Sequence, residues 1–203
     1  MSDKIAPELT LSFDEFVQEY LGKRYEYVDG KPQPMGEEIV GENGVITVSP
    51  ATGPHGLITN FVAFLLTGFV TANRLGYVFG AETGFIMNQE TAEMRAAHVA
   101  FYAKALLTSP DQLKSWLPFP PDLAVEVISE HDRATDVQRK ARSYKANGTR
   151  LLWLFYPYTR EIEIHRPNEP IYTLDVDDAL EGGDVLPGFS VDVKQIFAIT
   201  ESE

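Results

Sequence analysis

Pro121-Asp122-Leu123-Ala124-Val125-Glu126-Val127-Ile128-Ser129 contains the most strand-like run in the chain. From Leu123 to Ile128 both faces of the run are apolar except at Glu126, the pattern of a strand inside a sheet. An ionised carboxylate in such a place is costly unless a cation or strong donors meet it. Two arrangements meet it: a salt bridge to a basic side chain on the next helix, or a metal ion at the end of the sheet strand.

The next segment bears on both. An amphipathic helix is predicted from about Thr135 to Asn147 and is ended by Gly148. Lys140 and Tyr144 are four residues apart on it and share a face, with Val137 and Ala141 close by. A lysine beside inward-facing residues either snorkels or reaches a buried carboxylate. Leu151 to Phe155 then reads as a second apolar strand. Strand glutamate, short turn and helix lysine make a compact way to bring a carboxylate and an ammonium to one phosphate.

Towards the N-terminus, Ser12-Phe13-Asp14-Glu15 is a capping box opening a helix that Gly22 can close. Tyr25 to Val28 and Lys31 to Met35 read as two strands around the hairpin signal Asp29-Gly30. Gly36 to Gly44 reads as a loop and Val45 to Val48 as a short strand. A long apolar helix is expected from His55 to Asn73, well buried, with Ile58, Phe61, Leu65 and Phe69 on one face. Tyr77 to Phe79, Phe85 to Met87 and His98 to Tyr102 read as strands, and Lys104 to Leu113 as a short helix. Beyond the central run, Glu161 to His165 and Ile171 to Leu174 read as strands and Val193 to Ile199 as a closing helix. The mixture predicts an α/β or α+β domain, a mixed sheet flanked by helices with an N-terminal helix and β-hairpins. We expect one domain over residues 1–203, with residues 1–22 as the N-terminal helix and 161–203 as acidic strands and a helix.

The composition bounds the function. The chain has 203 residues, 17 basic and 30 acidic side chains and no cysteine. Disulfides, thiolate catalysis and zinc–thiolate sites are excluded. We find neither a secretory signal nor an apolar run that reads as a membrane span, and expect a cytoplasmic protein. The net charge of −13 argues against wholesale coating of nucleic acid. It is unevenly spread, however: Arg133 to Arg160 holds seven bases against Asp136 alone, while residues 161–203 are strongly acidic. The basic stretch is either a solvated helix face with a turn or a phosphate-facing surface.

The run around Glu126, followed by Asp132-Arg133, Lys140, Tyr144 and Leu152-Trp153-Leu154, resembles the Uma family of putative restriction endonucleases, a domain-of-unknown-function family. That family lies within the restriction-endonuclease-like PD-(D/E)XK superfamily. The resemblance extends to Tyr25-Glu26-Tyr27-Val28-Asp29-Gly30, to Ser49-Pro50 with His55, and to Leu186-Pro187-Gly188-Phe189. It implies a mixed sheet with flanking helices, a homodimer, and metal-dependent cleavage of phosphodiester bonds in nucleic acid, DNA first, through Mg²⁺ or Mn²⁺. By position, Glu126 matches the acidic metal ligand of the second strand. Ile128 stands where many superfamily members have lysine, and Lys140 takes that role from the following helix. Glu26 matches an N-terminal glutamate that helps hold metal, with an exposed hairpin side chain as the plainer alternative.

The sequence departs from the pattern at one decisive place. Arg95-Ala96-Ala97-His98-Val99 has alanine for the family's proline and histidine for its metal-binding aspartate. Mg²⁺ prefers hard oxygen ligands, whereas Mn²⁺ or Zn²⁺ tolerates imidazole better. Phe155-Tyr156-Pro157 also lacks the family's aspartate before the proline. Two functions are therefore expected. One is a metal-dependent endonuclease with a degenerate site of Glu126, Lys140, His98 and Glu26, in which Glu126 and His98 are the metal ligands. The other is an inactive nuclease-fold relative that has lost the metal and serves as a binding or scaffold module. His55, which opens the long helix, is either near the site or simply a helix-start polar residue, the second being the plainer reading.

Overall fold

In the computed structural model, which describes residues 10–20, 23–35, 38–40, 46–48 and 51–200, the chain opens on α1 (Phe13–Tyr20). The Ser12–Glu15 capping box forms: the Ser12 amide donates to the Glu15 carboxylate at 2.8 Å and the Glu15 amide to Ser12 Oγ at 3.3 Å. β1 (Tyr25–Val28) and β2 (Lys31–Pro34) make a hairpin whose turn, Asp29-Gly30, has φ of 52° and 74°. Both residues are left-handed, as a two-residue turn matched to strand twist requires. β3 (Glu38–Val40) pairs with β4 (Ile46–Val48), and α2 (Gly53–Asn73) follows. Next come β5 (Gly76–Gly80), β6 (Phe85–Asn88), β7 (Glu93–Arg95), β8 (Val99–Ala103) and a single 3-10 turn at Pro110–Leu113. The central unit is β9 (Leu123–Val127), α3 (Ala134–Ala146) and β10 (Leu151–Tyr156). The chain continues through β11 (Glu161–His165), β12 (Tyr172–Leu174), β13 (Ala179–Glu181) and β14 (Ser190–Asp192) to α4 (Val193–Ala198).

The main sheet has the order β12-β11-β10-β9-β8-β5. β9 and β10 are parallel, with Glu126 opposite Leu154, and the other pairs in the sheet are antiparallel. α3 is the crossover that a parallel pair needs. Strand alternation divides the core. Leu123, Val125, Val127, Trp153 and Phe155 face α2 and α4. Ala100, Tyr102, Ala124, Leu152 and Leu154 lie on the other face with Ala141 and Tyr144 of α3. Glu126 falls by the same alternation on the α3 face. A smaller sheet, β2-β1-β7-β6, carries α1 through Phe16, Tyr27 and Met94.

Several expectations need correction. β3 lies inside the stretch read as a loop, and β7, β13 and β14 were not expected; each has three residues, too few to carry a period. α2 is not well buried. Its buried stripe is Ile58, Val62, Leu66 and Val70, while Leu57 and Phe64 are 45% and 69% exposed. A helix lying on one face of a sheet buries only one stripe, here a single i, i+4 row. By length and composition α2 is also apolar enough to cross a membrane, contrary to the expectation of no such run. In this fold that stripe packs on the main sheet. Gly22, Ser49 and Pro50 lie outside the described residues.

β5 crosses close to the end of β8. A Cβ on Gly76 would lie 2.0 Å from the Tyr102 carbonyl oxygen, whereas one on Gly80, at the other end of the same strand, meets nothing within 4 Å. Gly76→Ala is expected to lower unfolding stability by about 1–3 kcal/mol, the usual cost of forced overpacking. Gly80→Ala is expected to change it by about 0.5 kcal/mol or less. Paired urea titrations of the two variants check this, and equal losses would contradict the close approach.

Candidate active site

Glu126, 1% exposed in the middle of β9, is met by three side chains. Its Oε1 accepts from Tyr144 Oη at 2.6 Å and lies 2.8 Å from Lys140 Nζ. Its Oε2 lies 2.7 Å from His98 Nδ1. Lys140 and Tyr144 reach it together because they are one turn apart on α3, which crosses the Glu126 face of the sheet. Burial by itself raises the Glu126 pKa, but Lys140 and His98 outweigh it and hold the carboxyl at about 2. Burial pulls Lys140 down, and Glu126 with Glu26 reverses this and raises it. Tyr144 is pushed well above 10, first by burial and then by the two carboxylates.

A second carboxylate is tied into the same cluster from the smaller sheet. Glu26 of β1 is buried; its Oε1 accepts from the Ala96 amide at 3.0 Å and lies 3.4 Å from Lys140 Nζ. Its Oε2 accepts from Arg95 at 3.1 Å. Arg95 in turn donates to Glu93 at 2.9 Å, and Glu93 also accepts from Ser143 and Asn147 of α3. Lys140 therefore bridges the two sheets through Glu26 and Glu126.

His98 stands immediately before β8, beside the Glu126 face. The 2.7 Å approach to an ionised carboxylate places the proton on Nδ1, the stronger charge-assisted contact; the Val127 amide is 3.2 Å from the same nitrogen. His98 Nε2 stands 2.9 Å from His55 Nε2, the two rings at 74° to each other. Burial, with help from His98, lowers the His55 pKa to about 4. His55 Nδ1 is buried, with no hydrogen bond that meets the usual geometry among the described residues.

The structure thus brings Glu126, Lys140, His98 and Glu26 into one cluster. Glu26 is buried and bonded, not an exposed hairpin side chain. His55 belongs to the cluster as well, the less favoured of its two readings. The polar His55 ahead of an otherwise apolar helix was the available signal. The basic stretch is divided. Lys140 is in the cluster, Arg139 pairs with Asp136, and Arg150 pairs with Asp122 and Asp184. Arg133, Arg142 and Lys145 are exposed, with no ion pair among the described residues.

The donor set does not fit Mg²⁺. That ion needs near-octahedral oxygen coordination, normally with one or two carboxylates and several waters. Here both Glu126 oxygens already have partners, and the group facing Oε2 is a nitrogen donor in place of an acid. Among the described residues no three His, Asp or Glu side chains are placed to hold a metal. Leaving His98 aside, Glu26, Glu93 and Glu126 exceed Lys140 and Arg95 by one negative charge; an aspartate at position 98 would add another.

The cluster makes the fold sensitive to acid. His55 titrates near 6.5 when unfolded and near 4 when folded, so its contribution is complete above about 6.5 and is lost as pH falls towards 4. Glu126, moved from 4.5 to about 2, adds a further loss as pH falls from 4.5 towards 2. Unfolding free energy measured by urea titration is expected to decline from pH 6.5 downward. His55→Asn is expected to flatten the decline between 6.5 and 4 and leave the lower limb; an unchanged slope would show that His55 is not held neutral.

Comparison with known proteins agrees with this architecture. A crystal structure of a protein described as a "putative nuclease belonging to DUF820", from Anabaena variabilis, superposes with a TM-score of 0.73 at 19% identity. The match covers 94% of this chain and 98% of that one. At that identity the likeness establishes the fold, a restriction-endonuclease-like mixed sheet with flanking helices. No curated protein shows significant similarity. The family model Uma2, "Putative restriction endonuclease", matches residues 13–194. That span includes the capped first helix, Glu26, His98, Glu126 and Lys140, and the chain belongs to the Uma2 family.

Proposed function

We propose that this protein binds nucleic acid, DNA first, on a nuclease fold whose Mg²⁺-dependent hydrolysis is lost or reduced to a trace. One observation carries this reading: His98 Nδ1 sits 2.7 Å from Glu126, donating a proton where the family resemblance puts a second metal-binding carboxylate. A divalent ion in that place would lose one oxygen ligand and one negative charge, and would have to break an existing ion pair. Nucleic-acid contact asks less of the site. Exposed cations that meet phosphates suffice, and Arg133, Arg142 and Lys145 of the α3 region supply them. Arg133 is the N-cap of α3, at the end of the helix that opens towards the turn after β9.

The intact Lys140–Glu126 pair favours a second reading, an endonuclease that still cleaves slowly with an ion tolerant of nitrogen ligands, such as Mn²⁺. Supercoiled plasmid distinguishes the two. With Mg²⁺ the native protein is expected to nick at background rate and with Mn²⁺ slowly if at all. His98→Asp is expected to raise the rate by about tenfold or more, equivalent to about 1.4 kcal/mol of barrier, and His98→Asp with Glu126→Gln to remove the gain. Rapid nicking by the native protein with Mg²⁺, unchanged in His98→Asp, would overturn the proposal.

Binding has its own measurement. Removing one cation that meets a phosphate is expected to reduce the slope of log Kobs against log salt by about 1. The double variant Arg133→Gln, Arg142→Gln should therefore flatten the slope for duplex DNA by about 2. An unchanged slope would take α3 out of the interface.

A further inference from the structure

A cavity of about 180 Å³ opens beside the cluster, between α1, the start of β1 and the Trp116 connector. Phe16, Tyr20, Trp116 and the thioether of Met94 line its apolar part. Lys23, Arg24 and Glu82 line its polar part, and Arg95 and Ala96 complete the wall. That wall is also the wall of the candidate site: Arg95 and the Ala96 amide both bind Glu26, and His98 follows two residues later.

We infer that this cavity receives one unpaired nucleobase of a bound strand. Three independent features converge on that chemistry. Aromatic rings and a thioether suit a flat π surface, and base–aromatic stacking is tolerant of sequence. The size is right for a single ring system: an apolar cavity of about 150 Å³ takes benzene, and this one is slightly larger. It is far too small for a base pair. The two cations suit the phosphate attached to such a base, and Lys23 already lies 5.1 Å from the centre of the Tyr20 ring. Arg24 is paired with Glu82 at 3.2 Å, so an incoming phosphate competes with an exposed carboxylate.

The inference rests on the nucleic-acid reading above and deepens it. The substrate class becomes a single strand, a loop or a duplex with an unpaired nucleotide. From Ala96 to His98 the backbone covers about 7 Å, so neighbouring nucleotides of the same strand reach the Glu126 cluster.

The test is binding in EDTA, where metal-dependent hydrolysis plays no part. A short oligothymidylate is compared with an abasic deoxyribose-phosphate oligomer of the same length, by anisotropy and by tryptophan fluorescence. Of the two tryptophans, Trp153 is fully buried in the core and Trp116 lines the cavity, so a quench reports the cavity. Oligothymidylate is expected to quench the emission and to bind about tenfold tighter than the abasic oligomer, the usual size of one stack. Trp116→Leu should erase that preference, Trp116→Phe should keep most of it, and Glu82→Gln should tighten both oligomers. Equal affinity for the two oligomers, or a preference that survives Trp116→Leu, overturns the cavity assignment and leaves the nucleic-acid reading standing. No binding of either oligomer overturns both.

Discussion

A carboxylate in the middle of a fully buried strand is the constraint around which this molecule is arranged. Glu126 cannot be left unpaired between the apolar layers of the main sheet without a large desolvation penalty. Three partners from different parts of the chain therefore converge on it: Lys140 and Tyr144 from the crossover helix, and His98 from the start of β8. Each brings an obligation of its own. Lys140 has to be matched from its far side, which Glu26 does; Glu26 in turn needs Arg95, and Arg95 needs Glu93. The network thus ties the smaller sheet to the larger one through polar contacts, beside the apolar packing of Phe85 and Met87 on Tyr144 and Tyr102. Such a network is strong only while every member is satisfied.

The parts of this arrangement that could be read from sequence are those set by local periodicity. Glu126 stood out because it broke an apolar run, and Lys140 with Tyr144 because four residues of helix put them on one face. The Asp29-Gly30 turn and the Ser12–Glu15 cap are likewise local chemistry with one favoured geometry. Glu26 was legible only as half of an alternative, since a four-residue strand does not reveal which of its faces is covered. His55 was legible only as the less favoured half of an alternative. It meets His98 across 43 residues of chain, through the docking of a helix end against a sheet edge, and no spacing rule spans that distance. The burial of α2 failed for a related reason: an apolar helix shows how much of its surface could be buried, but the neighbouring layer decides how much is.

Histidine in place of an acid at position 98 changes the logic of the site more than its shape. Two carboxylates side by side repel, and that repulsion is what makes such a pair receptive to a dication. A histidine that donates to Glu126 turns the same position into an ion-paired, hydrogen-bonded contact that is stable without metal. The effect is to move the cluster from a poised state to a settled one. The second imidazole, His55, extends the chain of contacts outward from the buried carboxylate, Glu126 to His98 to His55.

The acidic balance of the chain has to be reconciled with a nucleic-acid surface, and the fold shows how. Most of the negative excess lies beyond residue 160, on β11 to α4 and their connections. β11 and β12 form one edge of the main sheet, separated from β9 by β10. Some of that excess is used internally, as where Asp184 holds Arg150 and Glu163 holds His165. The exposed cations Arg133, Arg142 and Lys145 lie on or just before α3, and Lys23 lies beside the α1 cavity. With a Debye length of about 8 Å at physiological salt, charges on opposite sides of a domain hardly feel one another. A strand laid along the outer side of α3 therefore meets Arg142, and one at the α1 cavity meets Lys23, more strongly than the −13 of the whole chain.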